Sequence, residues 1–145
     1  MADYDRTMDV NVRSVVRLTQ LCVPHLSMTK GAVVNVSSLA GIRAFSDHLA
    51  NCMSKAALDQ FTRCVALELA PKQVRDNSVN PGLIQKEMLR RFGLNKEEYA
   101  KMIQGRVGEV SEVAKTIAFL ASPDASFITG ALVPLDGGRH LMCPR

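Results

Sequence analysis

The sequence has 145 residues, a formal net charge of +4, 47% hydrophobic and 22% charged content. That length suits one globular domain able to bury its own core. Nine glycines and six prolines exclude collagen-like and low-complexity classes, and no run approaches the ~20 apolar residues of a membrane span. The 18 basic and 14 acidic residues are scattered, with only Arg90-Arg91 and Arg139-His140 clustered, so no nucleic-acid partner is expected.

In chain order, Val12, Val15, Val16, Leu18 and Leu21 fall near a 3.6-residue period from Asp9 to Leu21, which predicts a first helix ended by Pro24. Gly31 to Val36 is a β-branched run without alternation, the pattern of a parallel strand buried on both faces. A small, polar loop from Gly41 to Asp47 leads into a long helix, Leu49 to Ala70. Its stripe is Ala57, Phe61, Val65 and Leu69, broadened by Ala56 and Leu67 and closed by Pro71. Val74 to Asn80 reads as a second strand, although Asp76 stands where a buried strand wants an apolar side chain. Gln85 to Gln104 reads as polar helical turns and loops. Ser111, as N-cap, opens a helix to Leu120 or Ala121. Ala131 to Leu135 is a third strand, and Asp136-Gly137-Gly138 is its turn.

Helix and strand alternate, which implies an α/β layer around a parallel sheet of about three strands, with no internal repeat, linker or second domain. Cys22, Cys52, Cys64 and Cys143 show no C-x-x-C pairing and read as reduced, mostly buried thiols rather than a metal or disulfide framework. The acidic start, Met1 to Asp5, has neither a signal core nor an Arg-rich presequence, which predicts cytoplasmic residence.

Four segments together resemble the short-chain dehydrogenase/reductase family: Asp9-Val10-Asn11-Val12, Asn35-Val36-Ser37-Ser38 with Gly41, Ser54-Lys55-Ala56-Ala57, and Asn80-Pro81-Gly82. The tail from Ile128-Thr129-Gly130 to Asp136-Gly137-Gly138 resembles the family's last strand, and the carbonyl-reductase and oxoacyl-reductase branch looks nearest. The resemblance implies the C-terminal part of a Rossmann-like doubly wound sheet, with Met1 falling inside the family's domain. Residues 1–145 would then form a single partial domain lacking the N-terminal dinucleotide-binding half. No Gly-x-x-x-Gly-x-Gly or Gly-x-Gly-x-x-Gly occurs in the chain, so the backbone cradle for a pyrophosphate is missing.

By resemblance the chemistry is NAD(P)-dependent reduction of a small-molecule carbonyl or oxidation of an alcohol. Ser38 matches the family's carbonyl-polarising serine, Lys55 the lysine that lowers the proton donor's pKa, and Asn11 the asparagine of a proton-relay water. Lys55, Pro81, Gly82 and Ile84 match the nicotinamide side of the cofactor site. The proton-donating tyrosine should lie one helical turn before Lys55, and that position is Asn51. An amide has no proton that titrates near neutrality, so the central acid is gone. His48, three residues earlier, is the nearest group that titrates there. Lys86 stands where the family has a threonine for the nicotinamide carboxamide.

Each residue also has a plainer reading: Ser38 as a cap, Lys55 as a solvated charge, Asn11 as a local hydrogen-bonder, Pro81-Gly82 as a turn. The expectation is an oxidoreductase fold inactive as this chain. The alternative is a non-enzymatic remnant that associates with full-length relatives, and by resemblance a homo-oligomer forms through the two long helices. No metal site is expected.

Overall fold

A computed structural model describes residues 1–84 and 105–142. In chain order the described residues form α1 (Ala2–Met8), a π-helical turn (Asp9–Arg13), α2 (Ser14–Thr29), β1 (Ala32–Val36), α3 (Leu49–Leu69), β2 (Arg75–Pro81), α4 (Val110–Ala121) and β3 (Leu132–Leu135). The strands make one sheet in the order β1-β2-β3, both pairs parallel, with Val33 opposite Asp76 and Ser78 opposite Leu132. The fold is therefore the expected α/β layer with three parallel strands.

Two apolar clusters hold it. On one face Val79, Leu120 and Ala125 pack with Val34, Val113, Ile117 and Val133. On the other, Val65, Leu69 and Val74 pack with Val23, Leu26 and Phe61. Between α3 and the middle of the sheet the interior is polar: Asn35, Ser54, Asp59, Thr62, Asp76, Ser78 and Asn80 are all buried. Most buried polar groups are paired, and Asn35 donates to Thr62 Oγ1 (2.9 Å) and Asp76 Oδ1 (3.0 Å).

Several sequence expectations need correction. The helical run begins at Ala2, ahead of Asp9, and Pro24 lies inside α2, which runs on to Thr29 because Val23 and Leu26 dock on the Val65–Leu69 cluster and hold the last turn in place. The inward face of α3 is Leu58, Thr62, Val65, Ala66 and Leu69, with Ala56 exposed and Leu67 78% exposed. The expected stripe holds at Val65 and Leu69, with Phe61 packed beside them, and misses Ser54, Asp59 and Thr62 because the sheet opposite offers amides and carboxyls. β1 is an edge strand, partly open, with Val36 52% exposed. Ser111 is not the N-cap of α4. Glu109 is, in a capping box with Glu112, whose carboxylate accepts from the Glu109 N–H at 2.8 Å. The cysteines are not buried: Cys22 and Cys52 are half-buried, Cys64 is exposed, and Cys143 lies outside the described residues. The loop expected at 85–104, with Lys86, also lies outside them.

Candidate active site

The C-terminal ends of parallel strands leave crevices where crossovers part, and the candidate residues gather there. β1 ends at Val36, and the extended Ser38 follows (φ −161°, ψ 159°). Its Oγ accepts the Ala40 N–H at 3.1 Å and caps a 3₁₀ turn, Leu39–Gly41. The plain reading of Ser38 as a cap is thus correct, and it is compatible with chemistry: the oxygen is used as acceptor while its proton remains to donate.

Lys55 rises from α3 beside this turn. Its Nζ donates to the Val36 carbonyl at 3.0 Å, and the Ser37 hydroxyl donates to the Lys55 carbonyl at 3.3 Å. Burial pushes the Lys55 ammonium below its ordinary pKa, against the raising effect of Asp59 one turn further on.

Asn11 lies in the middle of the π-helical turn, the kind of irregularity that recurs where a helix must present one residue out of phase. Its Nδ2 donates to Ser54 Oγ at 2.9 Å, and Ser54 Oγ donates to the Asn51 carbonyl at 2.9 Å. Ser54, fully buried, is a structural link that sequence reasoning quoted without a role. Asn51 is half-buried in the first turn of α3, one turn ahead of Lys55. His48 is the exposed N-cap residue of α3, with Nδ1 3.0 Å from the Ser46 carbonyl oxygen.

Ser38, Asn11, Asn51 and Lys55 are therefore gathered around the end of β1. A groove of about 620 Å³, lined by Val10, Asn11, Ser14, Val36, Lys55 and Leu58, opens beside them along the free edge of that strand. Pro81 closes β2 on the neighbouring strand, and Gly82 lies so close to Asp136 that a Cβ would stand 2.7 Å from the Asp136 Cβ. Ile84 is brought elsewhere. It lines a second cleft of about 290 Å³ with Arg106, Gly108, Glu112, Asp136 and His140. There Arg106 grips Glu112 at 2.7 Å and holds its carboxyl down at about 2.

The C-terminal turn is laced to the loop that carries α3, a feature the sequence did not signal. Asp136 accepts the Gly138 and His140 N–H groups at 3.0 and 2.6 Å. The Arg43 guanidinium donates twice to the His140 carbonyl, and Arg139 lies 5.5 Å from the Phe45 ring centroid.

This order of elements and motifs is matched by known proteins. A family model described as enoyl-(acyl carrier protein) reductase matches residues 1–140. The chain belongs to the short-chain dehydrogenase/reductase family. It is 41% identical over 140 residues to an L-xylulose reductase of Caenorhabditis elegans, covering 92% of this chain and 56% of that protein. It is 37% identical over 139 residues to a 3-oxoacyl-(acyl carrier protein) reductase of Thermotoga maritima, covering 94% and 56%. Among solved structures, a short-chain dehydrogenase/reductase from Caenorhabditis elegans with cofactor superposes at TM-score 0.87 and 33% identity, over 97% of this chain and 56% of that one. ElxO with NADP bound superposes at 0.90 and 26%, over 98% and 60%. The chain thus spans little more than half the length of the curated relatives it matches. Among the described residues no helix is long and apolar enough to cross a membrane, and no cluster of three metal-ligating side chains occurs.

Proposed function

We propose that this chain carries the substrate side and nicotinamide side of an NAD(P)-dependent carbonyl reductase or alcohol dehydrogenase site in which proton donation has been lost. The observation that carries the reading is Asn51: an amide occupies the position one turn before Lys55, and its backbone carbonyl is linked through Ser54 to Asn11. Relatives named L-xylulose reductase and 3-oxoacyl-(acyl carrier protein) reductase support a carbonyl compound as the substrate class.

When bound, a reduced nicotinamide supplies a hydride to the carbonyl carbon, and the carbonyl oxygen then needs a proton. Ser38, its oxygen already an acceptor for Ala40, is free to donate a hydrogen bond to that oxygen. Lys55 uses one ammonium proton on Val36 and has others to offer a ribose hydroxyl. Pro81 and Gly82 would flank the nicotinamide. The residues present fit only that end of the cofactor, since the chain has no glycine-rich loop to accept the pyrophosphate.

Losing the general acid alone costs about 10²- to 10⁴-fold in rate. The missing phosphate cradle compounds it. We expect no reduction of carbonyl compounds by NADH or NADPH and no saturable binding of either, read by nicotinamide fluorescence. Asn51→Tyr alone should restore nothing. Saturable binding in the micromolar range would return an active oxidoreductase to first place. The second reading, association with full-length relatives, is favoured by the open edge of β1. Co-sedimentation with a full-length family member tests it, and its absence at high concentration rejects it.

A further inference from the structure

Behind Ser38 lies a pair of side chains, Asn80 and Asp59, to which the resemblance assigned no role. Asn80 and Asp59 are both buried, one at the end of β2 and the other in α3. Asn80 Nδ2 has two protons and three acceptors: the Ser38 carbonyl at 3.0 Å and both Asp59 carboxylate oxygens at 2.9 Å. One proton reaches Ser38 and the other is shared across the carboxylate. The carboxylate and the Ser38 carbonyl only accept, which fixes which end of the amide is which, and Asn80 Oδ1 takes the Ser78 hydroxyl proton at 2.7 Å. The loop after Ser38 is pressed onto the same carboxylate, since a Cβ on Gly41 would lie 2.4 Å from Asp59 Oδ2 and 2.9 Å from the Lys55 carbonyl.

We propose that Asp59 and Asn80 are positioning residues, a buried amide–carboxylate clamp that sets the backbone at Ser38 and faces Lys55 with a negative charge. The inference rests on the reading of Ser38 and Lys55 as reacting-site groups. The clamp joins the ends of β1 and β2 to one turn of α3, so the three elements cannot shift independently. Asp59 sits one helical turn from Lys55 and raises its pKa against the lowering effect of burial. Asp59 favours the ammonium form of Lys55 against the lowering effect of burial, and the Ser38 carbonyl stays held.

Nuclear magnetic resonance on the full chain tests both arms without turnover or cofactor, so failure of the clamp and failure of the oxidoreductase reading are separate results. Asp59→Asn, nearly the same in shape, should lower the titration midpoint of ¹³Cε-labelled Lys55. Asn80→Leu, similar in volume but without a donor, should move the Ser38 carbonyl ¹³C signal upfield and leave the Lys55 midpoint less affected than Asp59→Asn does. Asn80→Ala provides a second variant with the same expected Ser38 shift. An unmoved Lys55 midpoint in Asp59→Asn, or an unmoved Ser38 signal in both Asn80 variants, overturns the proposal. So does a wild-type chain whose two signals already stand at unfolded positions.

Discussion

Asp76 stands fully buried in β2 with one carboxyl oxygen, Oδ1, accepting from Asn35 and the other, Oδ2, without a hydrogen-bond partner. Its side-chain partner is neutral: Asn35 from β1, which also donates to Thr62 of α3. Its neighbour Arg75 reaches the opposite face, where it donates to the Leu120 and Ser122 carbonyls. Burial alone pushes the Asp76 carboxyl up to about 8 from an ordinary value of 3.8. The folded chain then holds a proton that the unfolded chain releases, so this group's contribution to stability is fully present below about pH 4 and is lost as pH rises toward about 8. Urea unfolding across that window should show it in the wild-type chain, and Asp76→Asn should abolish it. Parallel profiles for the two would mean that the carboxyl is already ionised in the fold. The sequence marked Asp76 as out of place in a strand, yet left its partners open, because the residues that surround it come from β1 and α3.

At the scale of elements, type and order were legible and boundaries less so. β2 forms despite Asp76 because Asn77 and Asn80 find partners across the fold: Asn77 Nδ2 donates to the Ile128 carbonyl and its Oδ1 accepts the Ala131 N–H. Local propensity cannot register such bonds between residues some fifty positions apart. Pro24 misled for the same reason, since tertiary docking of α2 outweighs one missing donor. Of the candidate site, residue identities were readable from spacing, whereas the Asn11–Ser54–Asn51 chain depends on a π-helical turn with no clear mark in sequence. Gly41 shows what a motif glycine does here. Gly41→Ala would drive a Cβ into the Asp59 carboxylate and the Lys55 backbone, so the loop or α3 must move. We expect a loss of about 1–3 kcal/mol, read as a lower melting temperature. An unchanged melt would mean that the loop yields freely.

At the scale of the whole molecule the governing feature is the edge of the sheet. The Gly31 carbonyl and the Ser37 N–H bond across to β2, which assigns the odd-numbered peptide groups of β1 to that side. The N–H and C=O groups of Ala32, Val34 and Val36 therefore face the open groove, where Lys55 takes up only the Val36 carbonyl. Such an edge templates pairing with another chain. The exposed Leu18 and Leu21 of α2 and Leu67 of α3 add a second apolar surface, the one through which the family resemblance implies helix pairing. We expect the chain to self-associate, and the two surfaces can be separated. Val36→Pro, at an exposed side chain outside both apolar clusters, removes one outward donor and no bond to β2, so it should shift sedimentation toward monomer while circular dichroism stays unchanged. Leu67→Glu should do so only if the helical surface carries the contact. A sharp monomeric wild-type boundary at high concentration would show that neither surface is used.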